Sequence, residues 1–255
     1  MHKDHRYLVR PVRRVSKNSD VSSEQQGTSL TFQPVQSTLV NFTLEGQGRN
    51  ASTGPNIRGK MPNTAYLAQI QTFSLTNTQI EGIIPDFSNS LNLNKLILSN
   101  NNFTGPFAIN NPSVAQVEIQ NNNLTGIGSL FAANMWKLHG QDNDFENAVP
   151  SFVACQDISD INLSRNAFTG YLAGSLSTNL ELKKLNLSEN ALTEGAAQRI
   201  FEDMMTNWTA NTRDGVTVNL SGNPQVRESR LIKNATTGGI IRELRSAGWT
   251  ILLNA

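Results

Sequence analysis

One apolar motif, L-x-x-L-x-L-x-x-N-x-L, recurs along the chain and constrains its fold more than any other feature. Close copies begin at Leu93, Val114, Met135, Ile158 and Leu182. A sixth copy begins at Gly215, and two weaker copies begin at Ile70 and Leu39. Between Phe73 and Leu185 the central apolar residue returns every 21 to 24 residues. A regular period of this length indicates a solenoid in which each repeat forms one structural unit.

Within each copy, apolar residues two positions apart predict a short strand with one inward face, as for Leu96 and Leu98. Such a strand cannot bury its apolar face alone. Neighbouring repeats must therefore stack, which produces a parallel sheet along the inside of a curved solenoid. Gly140 stands where the second strand leucine belongs. At this position we expect either a dent in the sheet or a bulky neighbour that fills the space.

An asparagine follows each strand at a constant distance. Its side-chain amide can bond turning backbone groups that would otherwise be buried without a partner, at a cost of about 1–3 kcal/mol each. We predict a structural role, and not a binding role, for this asparagine column, which consists of Asn101, Asn122, Asn143, Asn166, Asn190 and Asn223.

A second signature follows several strands, in Ile80-Glu81-Gly82-Ile83-Ile84-Pro85 and in Phe103-Thr104-Gly105-Pro106. Glycine allows the chain to turn, and proline suits an extended return path. These residues, within about 70–195, resemble the L-x-G-x-I-P consensus of plant-type leucine-rich repeats. The resemblance implies an α/β leucine-rich-repeat solenoid over residues 39–195. Its parallel sheet would line the concave face, and its convex side would be irregular or polyproline-like.

Residues 196–255 predict a final repeat and a helical C-terminal cap. Ala196, Ile200 and Met204 have the i, i+4, i+8 spacing of an amphipathic helix. The segment 239–248 predicts a second helix ended by its glycine, and Trp249-Thr250-Ile251 predicts a last strand. This unit resembles the C-terminal unit of leucine-rich-repeat proteins from bacteria and their phages, which often closes tail-associated or surface proteins. The resemblance implies a prokaryotic or phage origin.

Residues 1–38 predict an extended, basic and polar N-terminal arm. Ordering such a segment costs about 1–2 kcal/mol per residue, whereas exposed ion pairs return about 0–1 kcal/mol each. A disordered tail is one interpretation of this segment, and an arm that lies along another protein is the other, which we favour. It lacks the interleaved aromatic residues that favour single-stranded nucleic acid, so nucleic acid is a disfavoured partner. The predicted anchoring residues are Arg6, Tyr7, Arg10, Arg13, Arg14 and Lys17.

Composition disfavours several classes of protein. The formal net charge of +1 gives no general affinity for nucleic acid, and no apolar run reaches the roughly 18 residues of a membrane span. The first residues lack the apolar core of a signal peptide. The single cysteine, Cys155, cannot form the disulfide-capped ends of extracellular plant and animal repeats. We therefore expect a protein that is made in a bacterial cytoplasm.

No catalytic motif is present. His2, His5 and His139 lack metal-ligand spacing, and the chain has neither a glycine-rich phosphate loop nor a G-x-S-x-G turn. We predict a non-enzymatic protein without a metal or cofactor, and Cys155 as a small residue buried between repeats.

The predicted concave face is polar and contains no aromatic residue, although binding hot spots favour such residues. A solvated face without a ligand is therefore one interpretation, and a binding face is the other. The long connection Gly46–Ala68 is either a functional loop or a plain insertion. The candidate binding residues on the concave face and its edge are Glu118, Trp136, His139, Asp142, Asp160, Arg165 and Lys184.

Two hypotheses for function follow. The first is a structural protein of a bacteriophage virion, a head decoration or a tail or baseplate component within a multi-subunit assembly. Its arm would bind other virion or assembly proteins, and its repeats would contact a host surface protein or glycan. The alternative is a free-standing bacterial adhesin or effector that binds a protein or glycan ligand, on the cell surface or secreted without a classical signal peptide. A plant receptor ectodomain is disfavoured because cysteine pairs and a signal peptide are missing.

Overall fold

The computed structural model describes residues 39–46, 57–61, 64–65 and 67–255. The predicted N-terminal arm, with its six anchoring residues, and most of the Gly46–Ala68 connection lie outside the described residues. The strands are β1 (Asn41–Glu45), β2 (Arg58–Lys60), β3 (Thr72–Thr76), β4 (Gln79–Gly82), β5 (Lys95–Ile97), β6 (Asn102–Asn110), β7 (Gln116–Glu118), β8 (Asn123–Phe131), β9 (Lys137–His139), β10 (Glu146–Val149), β11 (Asp160–Asn162), β12 (Ala167–Tyr171), β13 (Lys184–Asn186), β14 (Thr217–Asn219) and β15 (Thr250–Leu252). The helices are α1 (Glu194–Ala210), α2 (Glu228–Leu231) and α3 (Ala235–Ser246).

Nine strands form one parallel sheet in the order β1-β3-β5-β7-β9-β11-β13-β14-β15. The same repeat position pairs from strand to strand, so that Leu96 faces Val117 and Ile161 faces Leu185. This register carries each repeat position across the sheet as a column. The central apolar column points inward and is buried from Phe73 onward. The predicted leucine-rich-repeat solenoid, with its parallel concave sheet, is confirmed.

The convex side is more regular than the predicted polyproline-like path. Stacking brings the return segments of successive repeats close enough to hydrogen-bond, and they form one sheet of β2-β4-β6-β8 and another of β10-β12. Gly82 and Gly105 have φ values of +89° and +77° where the chain turns. The pairing of β6 with β8 shifts register between Gly105 and Pro106 and again between Phe107 and Ile109. At the first shift, proline has no N–H to donate to the neighbouring strand.

Bulky neighbours fill the space at Gly140, and the sheet has no dent there. A Cβ atom at this position would lie 3.0 Å from Leu163 Cδ2 and 3.1 Å from Phe145 Cε2. The Phe145 ring, which is fully buried, also stacks on Phe168 at 5.9 Å between ring centroids. Phe145 from the return segment and Leu163 from the next repeat therefore occupy the space that the missing leucine would fill.

The C-terminal unit extends the concave sheet by two strands and covers its end with helices. Thr193 caps α1 by accepting a hydrogen bond from Ala196 N–H. The second predicted helix, 239–248, begins earlier in the structure, at Ala235, because Asn234 caps α3 through Thr237 N–H. The weak helix formers Thr236, Thr237 and Gly238 obscured this start in the sequence. Of the helices that the structure describes, none is long and apolar enough to cross a membrane.

Candidate functional site

The concave sheet carries a shallow depression of ≈ 350 Å³ across strands β9, β11, β13, β14 and β15. Its lining combines strand positions that alternate with the buried column and two residues of that column, Ile161 and Leu185. The parallel register therefore brings residues of five strands together. The side chains that line its polar part are His139, Asp160, Asn162, Lys184, Asn186, Thr217 and Asn219, and Leu252 lines its C-terminal end.

Three of the predicted binding residues lie together in this depression. His139 Nε2 is 3.3 Å from Asp160 Oδ1 on the neighbouring strand. Lys184 follows Asp160 across the sheet, is exposed, and has no ion-pair partner among the residues that the structure describes. The depression therefore offers one acid–histidine pair and one free ammonium group.

Glu118 lies on the same face, beside the depression. Its Oε1 accepts hydrogen bonds from Lys137 Nζ and Gln116 Nε2, each at 2.6 Å. Burial raises the pKa of Glu118, but the contacts with Lys137 and Gln116 outweigh burial and hold that pKa below its ordinary value. Glu118 is thus a charged carboxylate whose Oε1 already accepts two hydrogen bonds.

Trp136, Asp142 and Arg165 lie at the edges of the sheet. The Trp136 ring is 43% exposed, and Lys137 Nζ lies 6.0 Å from the ring centroid. Arg165 forms a bidentate ion pair with Asp142, at 2.5 and 2.6 Å, beyond the C-terminal ends of the strands. The structure therefore does not bring these three residues into the depression.

Seven residues of the depression were not predicted as binding residues from the sequence: Ile161, Asn162, Leu185, Asn186, Thr217, Asn219 and Leu252. A signal for three of them was present, because the tripeptide Asn-Leu-Ser occurs at the same strand position at 162–164, 186–188 and 219–221. Leu252 has the same offset in the last strand, β15.

No group of three or more His, Cys, Asp and Glu side chains in the described part of the chain could hold a metal ion. Cys155 is buried, as predicted. Burial raises the pKa of its thiol to about 11, so the thiol is protonated and a poor nucleophile at neutral pH.

The fold and the site together define a leucine-rich-repeat solenoid with a polar concave surface. No family model matches the chain, and no curated protein matches it. Several solved structures are similar to it. The plant peptide hormone receptor RGFR1 in complex with RGF2 has a TM-score of 0.57 and 20% identity over 78% of this chain. The PEPR1–AtPEP1 structure has a TM-score of 0.56 and 18% identity over 77%. A leucine-rich-repeat protein of Leptospira interrogans has a TM-score of 0.50 and 16% identity over 74%.

This chain spans only part of each of these proteins, namely 31% of the RGFR1 chain, 30% of the PEPR1 chain and 45% of the Leptospira chain. At these identities the likeness establishes the leucine-rich-repeat fold.

Proposed function

We propose that this protein is a non-catalytic binding module whose concave depression holds an extended polypeptide. The observation that carries the proposal is a row of polar side chains that the parallel register aligns on β11, β13 and β14. Lys184 lies beside this row and has no ion pair in the described part of the chain. The depression is open, with polar side chains around an apolar floor that includes Ile161 and Leu185. An open, shallow surface suits an extended ligand better than a small molecule, which prefers an enclosed pocket. The fold of a plant peptide hormone receptor in complex with RGF2 supports the same reading.

A pair of matched threonine substitutions tests where binding occurs. Thr217 lines the depression, whereas Thr125 is exposed on the convex strand β8. We expect Thr217→Tyr to obstruct the depression and to abolish the selection of peptides from a displayed library of random dodecapeptides. Thr125→Tyr adds the same ring to the opposite face and should leave selection unchanged. Equal enrichment by both variants would contradict the proposed location.

A more specific hypothesis places this binding module in a bacteriophage virion, where residues 1–38 would bind other virion or assembly proteins. It rests on the basic sequence of the arm and on the resemblance of residues 196–255 to phage and bacterial repeat proteins. We expect full-length protein, and not the protein lacking residues 1–38, to band with assembled particles on a density gradient. If neither form bands, the adhesin or effector hypothesis, on a bacterial surface or in secreted form, replaces the virion hypothesis.

A further inference from the structure

The depression contains three asparagines whose amide groups are oriented by the fold. The Oδ1 atoms of Asn162, Asn186 and Asn219 each accept a hydrogen bond from the backbone N–H of the serine two residues later, at 3.1 to 3.2 Å. The serine hydroxyl adds a second donor to Asn162 and to Asn219. Because the oxygen is held by these donors, the Nδ2 group is the part of each amide that is left for a ligand.

These three Nδ2 groups form a regular row of donors. Asn162 pairs with Asn186, and Asn186 pairs with Asn219, in the parallel register of the sheet. Neighbouring strands lie about 4.8 Å apart, so the row spans about 10 Å. None of the three Nδ2 groups donates to another atom of the described chain.

The other groups around the C-terminal half of the row are also mainly donors. Lys184 and Thr217 occupy the neighbouring column of strands β13 and β14, and Lys184 has no ion pair in the described part of the chain. The nearest acid, Asp160, lies on β11 and is engaged by His139 at 3.3 Å. Leu252, which is 44% exposed, closes this end with an aliphatic side chain.

We infer that the depression recognises an acidic peptide, in which a carboxylate lies between Lys184, Asn186 and Asn219 and an aliphatic side chain contacts Leu252. This inference rests on the proposed function and specifies its ligand. A carboxylate offers only acceptors and matches a surface of donors, and its hydrogen bonds to an ammonium group are charge-assisted. The solvent-facing columns of the concave sheet carry no Phe, Tyr or Trp ring on which a sugar could stack, so an acidic peptide fits better than an anionic glycan.

The test begins with the full-length protein and a displayed library of random dodecapeptides. Peptides that are enriched by the wild type, and not by Thr217→Tyr, should carry an excess of Asp or Glu beside aliphatic residues. The most enriched peptide is then synthesised with a fluorophore, together with a copy in which each acid is replaced by its amide. Fluorescence anisotropy should show at least about tenfold weaker binding of the amide copy, which corresponds to the loss of one strong charge-assisted contact.

Substitutions in the protein locate the contact. In Asn186→Asp and Asn219→Asp the remaining oxygen still accepts the serine N–H, but the donor is replaced by a negative charge. We expect each to weaken binding of the acidic peptide by about tenfold or more, and Lys184→Gln to weaken it by about tenfold. Asn110→Asp makes the same charge change on the exposed convex strand β6 and should leave the affinity unchanged. Lys184→Gln changes an exposed residue, so it tests the contact even if an aspartate variant fails to fold.

The outcomes separate the two proposals. Suppose that the selection yields peptides that have no excess of Asp or Glu and that Thr217→Tyr no longer enriches. That result would overturn the acidic-peptide inference and leave the proposed binding module standing. Enrichment that Thr217→Tyr does not alter would overturn both. If the library yields nothing and a labelled oligogalacturonate binds with the same sensitivity to Asn186→Asp and Asn219→Asp, the donors recognise an anionic glycan, and the peptide inference is wrong.

Discussion

Replacing Asn122 with alanine is expected to lower the free energy of unfolding by about 3–5 kcal/mol, because it leaves several buried backbone groups without partners. The Asn122 side chain is 4% exposed. Its Nδ2 donates to Leu98 O at 2.9 Å and Ile119 O at 3.0 Å, and its Oδ1 accepts from Phe103 N at 3.1 Å. Alanine can replace none of these bonds, and buried turns leave little room for water.

The same pattern recurs through the asparagine column. Each Nδ2 donates to a carbonyl of its own repeat and to one of the preceding repeat, and each Oδ1 accepts a backbone N–H of the preceding repeat. This holds for Asn101, Asn122, Asn143, Asn166, Asn190 and Asn223. We propose that the column stabilises the stacking of repeats, and Asn122→Ala tests that role directly.

Urea denaturation followed by circular dichroism measures the effect of Asn122→Ala. Asn110→Ala is the control, because Asn110 lies exposed on β6 and its loss should change the free energy of unfolding by no more than about 0.5 kcal/mol. A loss of less than about 1 kcal/mol for Asn122→Ala would show that water or a shift of the chain satisfies the freed groups, against the buried-group penalty assumed here.

Replacing Asp203 with alanine is expected to lower the free energy of unfolding by about 3–5 kcal/mol, because two buried donors and one part-buried donor lose one carboxylate. Asp203, on α1, is 6% exposed. Its carboxylate accepts from Tyr171 Oη at 2.5 Å, from Gly174 N at 2.9 Å and from Leu176 N at 3.1 Å. These bonds attach the first cap helix to the loop that follows β12.

Substitution of Tyr171, which donates its hydroxyl hydrogen to Asp203, separates the contributions of the individual hydrogen bonds. Burial and the bond to Asp203 raise the pKa of Tyr171 far above its ordinary value, so the hydroxyl is protonated and acts as a donor at neutral pH. Tyr171→Phe removes one donor and should cost about 1–2 kcal/mol, whereas Asp203→Asn keeps one acceptor oxygen and should fall between Tyr171→Phe and Asp203→Ala.

Tryptophan fluorescence during urea denaturation is the suitable measurement, because Trp208 and Trp249 both lie in the C-terminal unit. The buried Trp249 donates its Nε1–H to Arg213 O at 2.9 Å, so opening of the cap changes its environment. If Asp203→Ala unfolds at the same urea concentration as the wild type, this carboxylate does not stabilise the cap.

Much of this fold could be predicted because its determinants are local. The apolar pairs such as Leu96 and Leu98 define the strands, and the spacing of Ala196, Ile200 and Met204 defines α1. The convex strands could not be predicted in the same way. Their pairing depends on how closely the return segments of different repeats approach, which the sequence pattern around Gly105 and Pro106 does not specify.

For the site, the sequence alone determined which strand positions of successive repeats align in one column. A constant period in a parallel sheet carries each strand position to the same face, so His139, Asp160 and Lys184 could be nominated together. Only the tertiary structure decided which neighbours they meet. It placed Leu252 at the end of the depression, separated Arg165 and Asp142 from it, and committed the amide oxygens of Asn162, Asn186 and Asn219 to backbone donors. Periodicity is a property of the chain, whereas the free or occupied state of a donor depends on contacts that only folding creates.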